Sequence, residues 1–167
     1  LFSYNKTMFS KATEYALRAT IYIAQKSSAE KKLSIGEIAK AIDSPVSFTA
    51  KILQLLTPNN KLISSARGPH GGFFITEKAK KLPVRAVLTA MGESDILDKC
   101  VLGLNKCSES KPCPMHHQYK TIKYQLIGLF ETNQCKSIYP AGRNTFCSRA
   151  GTANLCGRGG YPGDGHG

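Results

Sequence analysis

Four residues in the second half of the sequence are spaced so that they could do chemistry together. They are Cys100, Cys107, Cys113 and His116, in the pattern C-x6-C-x5-C-x2-H. Thiolate is a soft ligand, and a set of this kind suits an iron–sulfur cluster, zinc or copper(I). The chain between them contains Gly103, Asn105, Ser108, Ser110, Pro112 and Pro114 and shows neither helical nor strand periodicity. Such a loop has little to bury, and a bound metal or cluster would give it a reason to be ordered. The x2 spacing lets Cys113 and His116 converge on one ion if His116 opens a helix. The plainer alternative is three unrelated thiols, or a disulfide. A free cysteine usually sits buried as a small hydrophobe, however, and this loop is too polar for that. Spacing alone does not separate zinc from iron–sulfur. The C-x2-C knuckles of structural zinc are absent from the sequence, which favours an iron–sulfur cluster (2Fe–2S or 4Fe–4S), with zinc as the alternative.

Length and charge bound what can position this set. A chain of 167 residues makes one domain, or one domain with an appendage. No apolar run approaches the roughly 18 residues needed to span a membrane. The opening LFSYNKTMFSK has no signal-peptide core, so a cytoplasmic location is expected, with thiols kept reduced. The formal net charge is +12 and is uneven. Residues 1–82 carry 13 Lys and Arg against 5 Asp and Glu; residues 83–134 carry 6 against 5; residues 135–167 carry 4 against 1. The basic excess lies towards the N-terminal end, away from the cysteines. Nucleic acid is the first partner such a footprint brings to mind, and a solvated basic face is the bland one.

Residues 1–7 read as an irregular leader, with Met8 a possible start. From Lys11 to about Ser27, Ala12, Tyr15, Ala16, Ala19, Tyr22 and Ile23 recur at helical spacing. Ser34-Ile35-Gly36-Glu37 is a capping box opening a short helix through Ile42. Asp43-Ser44-Pro45 breaks it. Ser44 is expected to cap the next helix, with Pro45 in its first position and Val46, Ala50, Leu53 and Leu56 or Thr57 facing inward. Two short helices across a tight turn in a basic region make a helix-turn-helix candidate, though many helical domains contain such a pair. In that arrangement the second helix enters the major groove of double-stranded DNA. Ser44, Ser47, Phe48, Thr49 and Lys51 lead it, and small hydroxyls and a lysine suit base edges and phosphates.

A hairpin pattern after these helices strengthens the DNA-binding reading. Lys61–Ser65 and Gly72–Thr76 read as two strands around the turn Ala66-Arg67-Gly68-Pro69-His70-Gly71. Three helices and a hairpin give the winged-helix layout, and a slim tip with Arg67, Gly68 and His70 suits a minor groove. A further helix is expected over Val84–Met91. After the cysteine loop, Met115 to about Thr132 reads as a long helix. Met115, Tyr119, Ile122, Leu126 and Leu129 fall at spacings of 4, 3, 4 and 3, a coiled-coil-like seam. The seam serves either the chain's own core or a homodimer matched to a two-fold DNA site. Residues 135–167 hold 8 of the 15 glycines, and Cys135, Cys147 and Cys156 there match no site; this tail is expected to be disordered.

Several stretches together resemble the Rrf-two family of bacterial winged-helix regulators, with its IscR-like and NsrR-like branches. They are FSKATEYALRATIYIA, SIGEIAKAIDSPVSFTAKILQLL, the wing LISSARGPHGGFFI and the three-cysteine loop before a long helix. The likeness covers about residues 8–134. It implies a homodimer that binds promoter DNA and holds an iron–sulfur cluster through Cys100, Cys107 and Cys113. It implies His116 as fourth ligand in the IscR-like manner, or Glu14, from the partner subunit, in the NsrR-like manner. The first cysteine gap is x6 where the IscR pattern has x5. Ala50 stands near a glutamate that IscR-like proteins carry in the recognition helix.

The sequence therefore predicts a mainly α fold: a winged helix-turn-helix with a small β-hairpin wing and a long C-terminal dimerisation helix. The expected divisions are a leader (1–7), a DNA-binding domain (8–82), a cluster loop with dimerisation helix (83–134) and a tail (135–167). The expected function is transcription regulation modulated by an iron–sulfur cluster, without enzymatic activity and without a membrane. The alternatives are a zinc-stapled regulator that senses nothing, a regulator controlled by a protein partner, and a thiol redox enzyme using Cys113 or Cys107.

Overall fold

The computed structural model describes residues 8–58, 62–104 and 108–135. Helix α1 (Lys11–Lys26) starts where the Ser10 hydroxyl accepts the Thr13 N–H. Its inner face is built mostly of small residues (Thr13, Ala16, Ala19, Thr20, Ala24) around Ile23. Small side chains let neighbouring helices approach closely, and α1 packs on α2 (Ile35–Ile42), α3 (Val46–Leu56) and α5 (Arg85–Ala90). At its end Ser27 is buried. Its hydroxyl donates to the Ile23 carbonyl and accepts the Ile75 N–H, tying α1 to the base of the hairpin.

The capping box on α2 is present: the Ser34 hydroxyl accepts the Glu37 N–H, and the Glu37 carboxylate accepts the Ser34 N–H. The helix stops at Asp43, in the left-handed region at φ 53°. The turn into α3 corrects one expectation. Ser44 does not cap α3; Pro45 takes the N-cap position, and the Ser44 N–H donates to the Ala39 carbonyl. The inward face of α3 is also rotated from the expected one. Val46 is 56% exposed, Thr49 and Ile52 are buried in its place, and Leu53 and Leu56 are buried as expected. Both sets obey helical spacing. The observed one is stable because the Thr49 hydroxyl donates to the Pro45 carbonyl, which removes the cost of burying it.

The hairpin pairs β1 (Ser64–Ala66) with β2 (Gly72–Phe74) in antiparallel register, Ser65 opposite Phe73. The strands are shorter than predicted, and Lys61 lies outside the described residues. Leu33 exchanges both backbone hydrogen bonds with Phe73, so the segment before α2 extends the sheet by one residue. The tip needs its glycines: Gly68 has φ 107°, and a Cβ on Gly71 would sit 2.4 Å from the Ala66 carbonyl oxygen.

Beyond the wing, Thr76 caps a short helix, α4 (Glu77–Lys80), that the sequence pattern does not announce. Helix α5 and a 3-10 turn (Ser94–Leu97) lead to the cysteine loop. Helix α6 (His116–Thr132) comes after the loop. Val84, Leu88, Leu97 and Phe130 form a second, smaller core where α6 crosses α5, distinct from the main core of Ile23, Ile38, Ile42, Leu53, Ile63 and Ile75. Arg85 reinforces the crossing with Glu131 at 2.6 Å and Asp98 at 3.4 Å.

The chain then returns to the main core. Gln134 bridges to Pro83, the Val84 N–H donates to Asn133, and the Cys135 N–H donates to Leu82. Cys135 is only 1% exposed and belongs to the main core. This corrects the expectation of a disordered tail beginning at Cys135: desolvation and a backbone pairing to Leu82 place that residue in the fold. Residues 136–167, with Cys147 and Cys156, lie outside the described residues.

Candidate functional site

The residues that the sequence assigns to DNA contact lie on α3 and the hairpin. Ser47 and Lys51 are exposed on α3, one turn apart. Ser44 is half-buried in the turn before it. Phe48 is also half-buried, packing edge-on against Tyr15 of α1 at 5.7 Å, so it fixes the pose of α3 as well as presenting an edge. Arg18 lies over the Tyr15 ring at 5.6 Å, adding a cation beside that pair. Thr49 is fully buried with its hydroxyl on Pro45, and so it does not face a groove. Gln54 is a residue the sequence reasoning missed. It is exposed at helical spacing from Ser47 and Lys51, and that spacing is the signal that could have found it. Glutamine suits adenine N6 and N7. On the hairpin Arg67, Gly68 and His70 are all exposed at the tip, where the Gly71 N–H closes the turn on the Gly68 carbonyl.

The cysteine loop joins α5 to α6. Cys100 is buried and Cys113 half-buried, and both are free thiols. Their Sγ atoms are 3.6 Å apart. Two thiolates bound to one tetrahedral metal at ~2.3 Å lie ~3.8 Å apart, so this pair fits the inner ligands of a zinc ion or of one iron of a cluster. The Cys100 thiol has a lowered pKa. The Leu102 backbone N–H is the main cause, then Cys113, the Leu104 N–H and the charge of Lys123, against the opposing effect of desolvation. A lowered pKa favours the thiolate, the form that ligates.

His116 is the first residue of α6, which meets the condition set for it and Cys113 to share an ion, and its backbone N–H closes a turn on the Cys113 carbonyl. The ring is 3% exposed, with Nε2 3.5 Å from a Glu109 carboxylate oxygen. Glu109 also pairs with Lys120, which is the main reason its carboxyl titrates below the ordinary range, with His116 adding to it. Cys107 lies outside the described residues, and among the described residues no three His, Cys, Asp or Glu side chains converge on a metal position. Glu14, the alternative ligand, sits in the first turn of α1 and pairs with Lys11 at 2.8 Å.

Helix α6 carries the expected seam outward. Met115 at its start, Ile122 and Leu129, seven residues apart, are 44%, 59% and 57% exposed. Tyr119 and Leu126 are half-covered, Leu126 by the second core. Among the described residues no helix is long and apolar enough to cross a membrane.

Comparison with known proteins agrees with this architecture. Residues 9–138 match the model of the Rrf2 family, described as iron-dependent transcriptional regulators. A helix-turn-helix-type transcriptional regulator of Aquifex aeolicus (strain VF5) is 29% identical over 133 residues, covering 78% of this chain and 90% of that one. IscR of Serratia proteamaculans (strain 568) is 27% identical over 114 residues, 68% of each chain. Among solved structures, CymR, the global cysteine regulator of B. subtilis, superposes with a TM-score of 0.61 at 16% identity, covering 76% of this chain and 92% of that one. IscR of T. potens superposes at 0.56 and 15%, covering 78% and 84%. At such identities these structures speak for the fold, a winged helix. The family match spans α3, the hairpin, the cysteine loop and α6, and on it the chain belongs to the Rrf2 family of DNA-binding transcriptional regulators.

Proposed function

We propose that this regulator binds promoter DNA as a homodimer and that its affinity depends on an iron–sulfur cluster held by Cys100, Cys107 and Cys113, with His116 as fourth ligand. The observation that carries this is the 3.6 Å thiol pair beside a buried histidine at the start of α6. The IscR name among the relatives is in keeping with it. When bound, a cluster supplies iron that responds to iron supply, nitric oxide or redox state. The protein's own part is mechanical. Cys100 follows the 3-10 turn after α5, while Cys113 and His116 close the turn that leads into α6, so one set of ligands would fix the loop between reading domain and dimer helix. A change in that loop moves α6 relative to α3 and alters the spacing of two half-sites.

In this reading residues 8–82 read DNA and residues 83–134 sense and dimerise, with Cys135 joining the two. Ser44, Ser47, Phe48 and Lys51 face the major groove; Arg67, Gly68 and His70 face the minor groove; Thr49 is withdrawn from the set. The exposed seam on α6 supports the dimer, and the cytoplasm is the compartment in which the thiols stay reduced.

The test is an absorbance spectrum of protein purified without oxygen, with iron, zinc and acid-labile sulfide assayed on the same sample. Visible charge-transfer bands with matching iron and sulfide, lost in Cys100→Ala, are the expected result. Colourless protein with stoichiometric zinc would leave a stapled regulator that senses nothing. Equal binding of one operator by loaded and cluster-free protein would remove the switch. For the DNA surface, Lys51→Ala is expected to weaken binding evenly across sequences and lower the salt slope by about 1.

A further inference from the structure

The first residue of α3 is an exposed, branched, apolar side chain at the place where such helices approach base edges. N-terminal residues of a recognition helix contact bases in the major groove. Val46 occupies that place with 56% of its surface open. A lone exposed valine is ordinary on a protein surface; its position here is not. Pro45 before it is locked at φ −57° and makes no side-chain cap, so nothing folds back over the first turn. Thr49, in the same turn, is drawn into the core. Half-exposed Ala50, four residues on, continues the apolar strip along one side of the helix.

The rest of α3 says which base this strip can read. The helix VSFTAKILQLL contains no carboxylate, so it offers no acidic acceptor for the cytosine N4 amino group. Its exposed polar groups, Ser47, Lys51 and Gln54, can donate to purine N7 and O6 or to phosphate. The one feature of the major groove that is recognised by apolar contact is the C5-methyl group of thymine. We infer that Val46 reads a thymine methyl group in each half-site and is a specificity-determining residue of this regulator. This rests on α3 being the reading helix.

The experiment is selection from a random duplex library with the full chain and with Val46→Ala, followed by replacement of each enriched thymine by deoxyuridine, which lacks only the methyl. The wild-type protein is expected to enrich a thymine at one position per half-site. Deoxyuridine there should weaken binding about fourfold per half-site, the worth of one buried methyl group. Val46→Ala, which removes both γ-methyls, should discriminate less than the wild type, and Val46→Thr, which keeps one of them, should fall between. If the wild-type protein tolerates deoxyuridine at every enriched thymine, or if Val46→Ala discriminates as strongly as the wild type, the inference is overturned while the reading helix stands. If the wild-type protein enriches no sequence, both are overturned together.

Discussion

Ile122→Ala is the substitution that most directly tests whether the outer face of α6 joins two copies of the chain. In the single chain 59% of Ile122 is open, on the line that also carries Met115 and Leu129. Fully burying an isoleucine stabilises by about 1.5–3 kcal/mol, so covering the open part is worth roughly 1–2 kcal/mol. In a two-fold interface the residue occurs twice, which makes the loss about 2–4 kcal/mol and the dimer dissociation constant about 30- to 1,000-fold weaker. Alanine is the best helix former, so α6 itself should not suffer. The assay is sedimentation velocity across a concentration series, with Tyr124→Ala as control. Tyr124 is 62% exposed on the same helix but off the seam, stacked under Lys120. Ile122→Ala should shift towards monomer while Tyr124→Ala does not. A wild-type chain that stays monomeric at tens of micromolar would refute the reasoning. So would equal shifts from both variants, because the effect would then reflect general surface apolarity and not a seam.

Gly71→Ala should disable the wing. Its Cβ would meet two backbone carbonyls, Ala66 at 2.4 Å and Gly68 at 2.9 Å, which cannot step aside as a side chain can; we expect a loss of stability of about 1–3 kcal/mol in urea unfolding and weaker DNA binding. Thr49→Val should cost about 1 kcal/mol, the net value of its hydrogen bond to Pro45, and leave the selected DNA sequence unchanged; a changed preference would return Thr49 to the groove. In metal-free, reduced protein at neutral pH, a soluble alkylating reagent should modify Cys100 well before Cys135, as followed by mass spectrometry. Burial raises the Cys135 thiol to about 11, so it favours folding below the ordinary thiol pKa, and that stability is lost as pH rises from about 9 through 11; melting curves over this range should fall less steeply in Cys135→Ala.

Much of the scaffold was legible because its signals are local. Ser34 and Glu37 announce the start of α2 three residues apart, Asp43-Ser44-Pro45 marks the turn, and the glycines of the wing name the hairpin. The phase of α3 was not legible. Val46, Ala50 and Leu53 satisfy helical spacing as well as Thr49, Ile52, Leu53 and Leu56 do. What decides between them is a hydrogen bond from Thr49 to Pro45, which apolarity does not register. Helix α4, at four residues, is too short to show a period. The burial of Cys135 depends on Leu82, remote in sequence, and its glycine-rich neighbours masked it. In the cysteine loop, the placement of His116 at a helix start came from spacing, and the approach of Cys100 to Cys113 fits the shared-ligand reading. Glu109 beside His116 could not be foreseen, because a single carboxylate in a polar loop carries no pattern.

The two ends of α6 are held by unlike means, and this makes the helix a lever. Its C-terminal end is stapled to the start of α5 and the main core by backbone pairing at Leu82–Val84 with Asn133–Cys135 and by Arg85 gripping Glu131. Its N-terminal end hangs from the cysteine loop. The fulcrum is therefore the far end, at the pairing with Leu82, and the arm ends at His116. Over 17 residues the arm is roughly 25 Å long. A displacement of ~1 Å at the loop would tilt an arm of that length by about 2°. In the homodimer proposed above, two such arms joined along the α6 seam would act as calipers, turning a small change of bond lengths at one end into a change of jaw width at the two α3 helices.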